Sequence, residues 1–447
     1  MAEILPFRGI RFHPGHVPDF DAVVTPPYDV IGADMQERLY RRSPYNIVRL
    51  DYGKILPGDD DVENRYTRAG RYFHQWLATG VLVQEKECSI YYTEQDYAGE
   101  FGEPMTRKGF LAAVRLEDPE SGLYLPHERT LAGPKADRLR LMQTCRANLS
   151  PIFSLYDDPR MRVLRDVETL PLSSAPLVTV TMEDGSRTRM WRISDPDRIR
   201  AVAAGLSANS FFIADGHHRY ETALKYRDLR REEIPTYTGR ESWNYVLMYL
   251  SNLSAPGLSV LPTHRAVFGL EGFRLETFLE RLRRYFHVEE ITGPLRELME
   301  RMRDLRGRAH ALGFTARGDD RRWLLTLRDE DVMKGLLEGK MAAVLRTLDV
   351  TVLHSLILEH LLGVDQKAQE EQRNLSYVKG HEELVRVVQE EPGMQLGFLL
   401  NPTRLEEVKA VAEAGERMPQ KSTFFFPKIV TGLVIHPLFG EAETCRA

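Results

Sequence analysis

The sequence predicts an α+β fold built from mixed sheets and helices. Short runs of β-branched and aromatic residues are typical of strands, and amphipathic runs that stop at a glycine are typical of helices. The two kinds of segment do not alternate strictly, which distinguishes the pattern from a doubly wound parallel sheet. Of 447 residues, 43% are hydrophobic and 28% are charged, so the composition excludes a disordered chain, a collagen-like repeat and a coiled-coil rod.

Five short segments carry the strand pattern. They are residues 89–93, 109–114, 177–181, 188–193 and 210–214. The third and fourth are joined through Asp184 and Gly185, and an Asp-Gly pair favours the tight turn of a hairpin. The sequence therefore predicts an antiparallel hairpin over residues 177–193.

Five further segments carry the helical pattern. Three of them end just before a glycine, a residue that commonly closes a helix, and they span residues 62–79, 342–362 and 405–414. A fourth helix is predicted to start near Gly216, and a charge-rich helical stretch is predicted over residues 273–308.

The length of the chain predicts two to three domains, at about 150 residues per domain. Turn-forming residues cluster at 157–159 and at 254–257, where we place the two boundaries. The predicted regions are an N-terminal α/β region, a central region and a C-terminal α/β region, at residues 1–156, 157–255 and 256–447.

The charge balance argues against nucleic acid as a partner. The net charge is −5 and the isoelectric point is about 6.3, so the chain lacks the basic field that drives nonspecific nucleic-acid binding. The arginine-rich stretch 296–308 also contains Glu297, Glu300 and Asp304, which is typical of a salt-bridged surface. We therefore predict a small-molecule substrate, and the sequence leaves the oligomeric state open.

The cysteine content and the N-terminus both predict a cytoplasmic protein. The three cysteines, Cys88, Cys145 and Cys445, are too sparse for a disulfide framework. The first 16 residues lack the apolar core of a secretory signal. No stretch approaches the ~20 apolar residues that span a bilayer, so no membrane association is expected.

The strongest chemical signal is a strand that ends at Asp215 and Gly216 and is followed at once by a helix. The first N–H groups of a helix lack intrahelical partners and carry the positive end of its dipole, which makes the turn an anion site. His217, His218 and Arg219 add donors there, and arginine can hold a phosphate through two hydrogen bonds. The pattern predicts a phosphate-binding turn.

Two alternatives explain the same residues differently. Asp215 can act as an ordinary helix N-cap beside surface histidines, but three basic or donor residues would then oppose the helix dipole without an anion. A metal site would combine Asp215, His217 and His218 with His127 or Glu128. Adjacent histidines rarely converge on one ion and no zinc-binding pattern accompanies them, so the metal content stays unknown.

A second segment, residues 125–130, supplies groups for catalysis. Phosphoryl transfer needs cations on the phosphates and a carboxylate that takes the hydroxyl proton. We predict Glu128 as the general base with His127 beside it, and Lys135 and Arg138 as phosphate ligands. The alternative is a solvated polar loop.

Two proline-containing segments give weaker signals. Residues 25–29 are predicted to form a rigid turn that would present Tyr28 and Asp29 to a pocket. Asp29 is the second candidate for the general base, after Glu128. The alternative is that this segment only connects its neighbours. Residues 415–422 are one residue from a P-loop but follow a helix, and a proline removes a backbone donor, so we reject that motif. Lys421, Ser422 and Lys428 remain candidate ligands of an anion. The alternative is that this segment is a polar turn before a strand.

The segment 214–220 resembles the D-G-H-H-R segment of the ParB/sulfiredoxin-like superfamily, which includes sulfiredoxins, ParB-type CTPases and free-serine kinases. This resemblance implies a nucleotide-binding core with additional α/β elements. His217 stands where sulfiredoxins have their catalytic cysteine, which argues against sulfur chemistry. The free-serine kinases match best at this segment.

The chain as a whole resembles the family called domain of unknown function 1015. The residues that carry the resemblance are 25–31, 43–46, 126–130, 148–153, 214–220, 418–423 and 426–428. The family name implies no activity by itself, so the functional inference depends on the Asp215 turn.

Together these signals predict a small-molecule kinase. Gly216, His217, His218 and Arg219 would hold the phosphates of ATP, ADP or pyrophosphate, and Asp215 would orient the turn or help to place Mg²⁺. The resemblance implies free L-serine or a similar hydroxyl compound as the acceptor. The alternatives are a nucleotide-binding regulatory protein without turnover and a metal-dependent phosphohydrolase.

Overall fold

The computed structural model describes residues 2–100, 102–127, 132–168, 174–441 and 445, with the backbone alone at 132–134. The chain forms two compact units. The first comprises residues 1–126, 130–259 and 427–447, and the second comprises residues 127–129 and 260–426.

Helices and strands are both abundant in the described residues, which confirms the predicted mixed α+β fold. The strands are β1 Ile4–Leu5, β2 Ile10–Phe12, β3 Leu82–Gln84, β4 Ile90–Ala98, β5 Pro104–Arg115, β6 Tyr124–Pro126, β7 Ala147–Asn148, β8 Ile152–Tyr156, β9 Val178–Thr181, β10 Arg187–Ile193, β11 Phe211–Asp215, β12 Tyr245–Asn252, β13 Ser259–Leu261, β14 Thr263–Phe268, β15 Phe286–Ile291, β16 Ala311–Ala316, β17 Arg322–Leu327, β18 Leu375–Lys379, β19 Met394–Leu400, β20 Phe424–Phe426 and β21 His436–Pro437. The helices are α1 Ala33–Arg42, α2 Val48–Asp51, α3 Arg65–Ala78, α4 Ala132–Cys145, α5 Arg162–Glu168, α6 Pro196–Leu206, α7 His217–Glu233, α8 Leu275–Leu282, α9 Leu295–Leu305, α10 Asp331–Leu337, α11 Ala343–Arg346, α12 Asp349–Thr351, the π-helix Val352–Leu361, α13 Gln366–Glu370, α14 His381–Glu390 and α15 Leu405–Glu413. None of the helices within these ranges is long and apolar enough to cross a membrane.

One nine-stranded sheet forms the centre of the first unit. Its strands are ordered β6-β11-β8-β12-β5-β4-β10-β9, and β1 pairs with β5 beyond the end of β4. The pairs β6–β11 and β8–β12 are parallel, whereas the others are antiparallel. The predicted hairpin is present as β9 and β10, and Gly185 at its turn has φ +80°.

The division of the chain differs from the three regions predicted from the sequence. Strand β8, from the predicted region 1–156, lies between β11 and β12 of the predicted region 157–255. These two regions form one unit because their strands share hydrogen bonds in one sheet. Residues 427–447 also belong to the first unit, although they follow the second unit in the chain.

The two faces of the sheet differ in character. Side chains alternate between faces along a strand, and Phe110, Ala112 and Val114 of β5 pack into the hydrophobic core. Arg107 and Gly109 of the same strand therefore point to the opposite face. That face carries polar groups at the end of the sheet where β11 leads into α7.

The segment 427–438 forms hydrogen bonds with the rest of the first unit along much of its length. The carbonyl of Pro427 accepts a hydrogen bond from Arg107, and the carbonyl of Lys428 accepts one from Gln95 at 3.3 Å. Thr431 and Ile435 form backbone bridges with residues 25 and 10, and β21 pairs with β7. These bonds hold Lys428 at the polar face of the sheet.

A disulfide joins Cys88 to Cys445, with 5.3 Å between their Cα atoms. Cys145 is a buried free thiol. This bond corrects the expectation that three sparse cysteines form no disulfide framework: the two cysteines are 357 residues apart, and only the fold brings them together.

The second unit has its own six-stranded antiparallel sheet, ordered β15-β17-β16-β19-β14-β18. Its core includes Phe314, Phe398 and residues of the π-helix. Strand β20 pairs with β13 in a separate two-stranded sheet. This unit therefore buries a core without strands from the first unit.

Two helix predictions for the second unit are wrong in part. Residues 273–308 contain β15 between α8 and α9, because the sequence of β15 pairs along its whole length with β17. Residues 342–362 form α11, α12 and a π-helix instead of one helix, although Gly363 follows with φ +75°. Charge and periodicity identified helical segments here but not the breaks within them.

Candidate functional site

The strand–turn–helix at residues 211–233 is present as β11, Gly216 and α7. Gly216 has φ +96°, a conformation that strains any residue with a side chain. A Cβ atom there would also lie 2.9 Å from Nε of Arg219. The turn therefore needs glycine both for its backbone and for the close approach of the guanidinium.

Asp215 is the carboxylate at the centre of this turn. Its Oδ2 accepts a hydrogen bond from Nζ of Lys428 at 2.8 Å, and its Oδ1 lies 3.4 Å from Nη2 of Arg219. Burial alone would raise the pKa of Asp215, but Lys428 and Arg219 hold it well below its ordinary value. Asp215 is therefore ionised at neutral pH and fixes both cations.

The basic residues that follow Asp215 are not equally accessible. Arg219 is buried, and its Nη1 donates to the carbonyl of Pro151, which leaves only part of the guanidinium for a ligand. His217 is also buried, whereas His218 is half-buried. The positive charge is therefore concentrated beside the N-terminus of α7, where the helix dipole adds to it.

A buried cation that was not predicted from the sequence lies on the same face of the sheet. Arg107 of β5 is completely buried and donates from Nη2 to Gln95 and to the carbonyl of Pro427. Its guanidinium lies 4.9 Å from the ring of Phe153, and it interacts electrostatically with Asp215. The one available signal was a basic residue within a strand whose neighbours are apolar.

Tyr28 and Arg138, which come from separate segments, lie together in the first unit. The Arg138 guanidinium is 4.0 Å from the ring centre of Tyr28, and its Nη1 donates to the carbonyl and carboxylate of Asp51 at 2.7 and 3.1 Å. Burial raises the pKa of Tyr28 to about 12, although Arg219 and Arg138 act in the opposite direction. Tyr28 therefore stays protonated at neutral pH.

A small cavity links this cluster to the Asp215 turn. Its volume is about 40 Å³, and Asp51, Arg138, Ser150 and Arg219 are among its lining residues. A space of this size holds ordered water or a very small ion rather than a nucleotide. Arg138 and Arg219 thus share a polar pocket within the first unit.

The remaining candidates in the first unit have other surroundings. Nζ of Lys135 lies 2.9 Å from Oε2 of Glu221 and so connects α4 to α7. Asp29 is exposed on a 3-10 turn. Both residues lie in the same unit as Asp215.

Three candidates belong to the second unit. His127 is buried, and its Nε2 lies 2.8 Å from the hydroxyl of Thr423. The carbonyl of Lys421 accepts a hydrogen bond from Arg265, and the hydroxyl of Ser422 donates to the carbonyl of Pro419 at 2.6 Å. Glu128, the predicted base, lies outside the described residues.

The second unit also contains a cavity of about 850 Å³ beside the π-helix. His354 lines it, and burial lowers the pKa of this histidine to about 3. Nε of Arg265 donates to Nε2 of His354 at 3.1 Å, so Nδ1 carries the proton and donates to Gln369. Lys340 and Glu359 line the same cavity, so its charges are of both signs.

The described residues do not fit a magnesium site at Asp215. They contain no group of three or more histidine, cysteine, aspartate or glutamate residues arranged to hold a metal ion. The Asp215 carboxylate is already neutralised by two cations, which compete with a divalent ion for the same oxygens. The described part of the turn is suited to an anion rather than to a metal.

Three solved structures illustrate what the chain is similar to. A conserved hypothetical protein from Pyrococcus furiosus is 12% identical, with 72% of this chain and 94% of that chain covered and a TM-score of 0.32. A free serine kinase variant in complex with ADP is 13% identical, with coverages of 70% and 89% and a TM-score of 0.33. SbnI with C-terminal truncation from Staphylococcus aureus is 11% identical, with coverages of 72% and 85% and a TM-score of 0.34.

Among curated proteins, no relative matches the chain. A family model does match, and it covers residues 4–351, which is well over half of the sequence. The matched range contains Tyr28, Arg138 and the Asp215 turn, whereas Lys428 lies beyond it. The family expected from the sequence motifs is thereby confirmed, and the chain belongs to the family described as "Protein of unknown function (DUF1015)".

Proposed function

We propose that the protein is a small-molecule phosphotransferase that binds the phosphates of its donor at the Asp215 turn. The observation that carries this proposal is the ion-paired carboxylate of Asp215 between Lys428 and Arg219, at the N-terminus of α7. One carboxylate faces two cations and the positive end of a helix dipole, so the turn favours a phosphate. The resemblance of residues 214–220 to free-serine kinases and their ParB/sulfiredoxin-like core supports the same chemistry.

In the proposed reaction, a hydroxyl oxygen of the acceptor attacks the terminal phosphorus of the donor. A new P–O bond forms, the phosphoanhydride P–O bond breaks, and the shortened donor leaves with the bonding electrons. A carboxylate takes the hydroxyl proton. We assign this role to Glu128 with His127 beside it, and keep Asp29 as the alternative base.

The residues of the turn would act by neutralising the charge of the donor phosphates and by fixing their position. The Gly216 backbone, His217, His218 and Arg219 would contact the donor phosphates, and Lys428 would neutralise charge that develops on the leaving oxygen. Lys135, Arg138, Lys421 and Ser422 remain proposed ligands of the donor, and Tyr28 a proposed pocket residue. The proposed donors are ATP, ADP and pyrophosphate, and the proposed acceptor is free L-serine or a similar hydroxyl compound.

The experiment that tests this function is phosphorus NMR on the purified protein. Each donor is supplied with Mg²⁺, with and without L-serine. A phosphomonoester signal that appears only with L-serine supports the kinase and identifies its donor. Loss of donor without L-serine supports a phosphohydrolase instead, and nucleotide binding without turnover supports a regulatory protein.

Substitution of the proposed base separates these outcomes further. We expect Glu128→Gln to keep ADP affinity and to lose turnover by about 10²-fold or more. Asp29→Asn is the matched variant, because it removes the charge of the reserve base. If Asp29→Asn abolishes turnover and Glu128→Gln does not, the base is Asp29.

A further inference from the structure

The cavity beside the π-helix is lined entirely by residues of the second unit and has the volume of a ligand pocket. Its volume is about 850 Å³, whereas pockets that bind small molecules have volumes of about 300–1,000 Å³. The π-helix contributes one part of the lining. Helix α13, Tyr377 of β18 and residues of the segments 339–342 and 415–420 contribute the rest. The space is therefore large enough for a molecule of the size of a short peptide.

The geometry of the π-helix determines which of its side chains reach the cavity. Residues four apart share a face of an α-helix, whereas the hydrogen bonds of a π-helix join residues five apart. Such a bond runs from the N–H of Leu362 to the carbonyl of Ile357 at 2.9 Å. His354 and Glu359, which are five residues apart, accordingly line the same cavity, together with Ser355. This uncommon kind of helix, which is frequent at functional sites, thus brings a carboxylate to the lining.

The buried part of the lining is uncharged. It consists of two apolar and three polar residues, which are Leu337, Leu345, His354, Ser355 and Gln369. Nε2 of His354 accepts from Arg265 and Nδ1 donates to Gln369, so the ring is neutral and both of its nitrogens are occupied. The buried part therefore suits an apolar group, with the hydroxyl of Ser355 as a partner for a hydrogen bond.

Charges of both signs lie on the exposed part of the lining. Lys340 and Arg417, from two different loops, form no ion pair with a described residue, and neither does Glu359 of the π-helix. Glu370 and Glu416 add two more carboxylates. Because the two cations are not neutralised by carboxylates of the same cavity, the lining is complementary to a ligand that carries separated charges.

This lining disfavours two other classes of ligand. A nucleotide would bring two or more negative charges to a surface with three carboxylates and two cations. A purely apolar molecule would remove water from these charges without pairing them. A molecule with an apolar body and one charge of each sign satisfies both parts of the lining.

We propose that this cavity binds a short apolar peptide with free termini. Its ammonium group lies beside Glu359, its carboxylate pairs with Arg417, and its side chains pack against the buried leucines. This assignment does not depend on the phosphotransferase proposal, because the lining residues belong to the second unit and the Asp215 turn belongs to the first.

The test is calorimetric titration of the full chain with L-leucyl-L-phenylalanine and two blocked forms of it. The N-acetyl form lacks the ammonium charge, and the C-terminal amide lacks the carboxylate charge. We expect the wild-type protein to bind the free dipeptide about fivefold more tightly than either blocked form, since an exposed ion pair contributes up to that much.

Two charge variants assign the ends of the peptide. Glu359→Gln should abolish the preference over the N-acetyl form and keep the preference over the amide, and Arg417→Gln should do the reverse. Glu382→Gln and Arg283→Gln are the matched controls, because both side chains are exposed in the same unit and neither lines the cavity. Both controls should keep both preferences.

A third variant tests whether the peptide enters the cavity. Ala342 is half-buried in the lining, so Ala342→Phe fills part of the space. We expect the affinity for the free dipeptide to fall about 10-fold or more, since burial of a large apolar side chain contributes at least that much. Circular dichroism establishes that this variant folds, and if it does not, the charge variants at exposed positions decide the matter.

Several results would overturn the assignment. One is a wild-type protein that binds no form of the dipeptide, or that binds the free and blocked forms equally. Another is unchanged preferences in both charge variants, or unchanged affinity in a folded Ala342→Phe, since the peptide would then bind elsewhere. Binding of L-phenylalanine as tight as that of the dipeptide would also contradict it, and would assign the cavity to a free amino acid.

Discussion

At the scale of single residues, Gly216 determines whether the turn can exist. Gly216→Ala places a Cβ in the left-handed region and 2.9 Å from Arg219, so we expect a loss of about 1–2 kcal/mol in unfolding free energy and weaker ADP binding. Urea unfolding and calorimetry measure these effects. Gly335→Ala is the control, because this helical glycine has open space around its Cβ position, and the change should stabilise α10 by about 0.5–1 kcal/mol.

The charge of Asp215 predicts a dependence of stability on pH. Because its pKa is lowered in the folded protein, Asp215 stabilises the fold above the unfolded-state value of about 4, and this stabilisation is lost as the pH falls through the folded-state pKa. Asp215→Asn should cost about 3 kcal/mol at pH 7, because it removes the negative charge that pairs with Lys428 and Arg219, and less at pH 3.

Urea midpoints between pH 3 and pH 7 measure this difference. Asp34→Asn, at an exposed position in the first turn of α1, is the control. A difference between wild type and Asp215→Asn that stays constant over this pH range would mean that the Asp215 ion pairs do not stabilise the fold.

The sequence pointed to part of this site and missed the rest for a physical reason. Residues 215–219 are contiguous, so their pattern of strand, glycine and basic residues is visible in one segment. Lys428 was predicted as a candidate anion ligand, but its pairing with Asp215 was not, and Arg107 was missed. Both residues lie far from Asp215 in the chain, so no single segment of the sequence reveals that the fold brings them to one face.

At the scale of elements, helix α3 shows which predictions a local pattern supports. Its start is fixed by Asn64, whose side chain accepts hydrogen bonds from the N–H groups of Tyr66 and Thr67 at 3.0 and 3.2 Å. Thr67 accepts in return from the N–H of Asn64 at 2.9 Å, which completes a capping box. The predicted span 62–79 contains the observed helix because these end signals lie within the helix itself.

We expect Asn64→Ala to lower the unfolding free energy by about 1 kcal/mol, because it removes the acceptor for two N–H groups. Chemical denaturation measures the loss. Asn64→Ser keeps an acceptor at the cap and should recover most of the stability. Equal losses in both variants would show that the cap is not the cause.

Elements without local end signals were harder to predict. Strand β15 lies in a stretch with charged neighbours on both sides, and its pairing with β17 outweighs the helical tendency of the surrounding sequence. The π-helix inserts an extra residue per turn that hydrophobic periodicity does not reveal. Tertiary contacts therefore decide both segments.

At the scale of the whole molecule, the disulfide between Cys88 and Cys445 closes most of the chain into a loop. The chain-entropy argument gives about 6 kcal/mol of stabilisation for a loop of this length. We expect a reducing agent to lower the melting temperature of the wild-type protein but not of Cys88→Ser. Cys145→Ser is the control, since Cys145 forms no disulfide, and it should keep the response to the reducing agent.

This bond also bears on the location predicted from the sequence. Disulfides persist mainly in oxidising compartments, and in the cytoplasm most are reduced. The cytoplasmic location stays a prediction, and the disulfide argues against it. Thiol titration of protein purified under non-reducing conditions distinguishes one free thiol from three.

The position of Lys428 in the chain has a consequence for the order in which the site is synthesised. Lys428 is 213 residues further along the chain than Asp215, and residues 260–426, nearly all of the second unit, are encoded between them. A ribosome therefore finishes the turn, with Asp215 and Arg219, long before it supplies Lys428. Until then Asp215 has only one of its two cations, which makes the order of synthesis part of how the anion site is assembled.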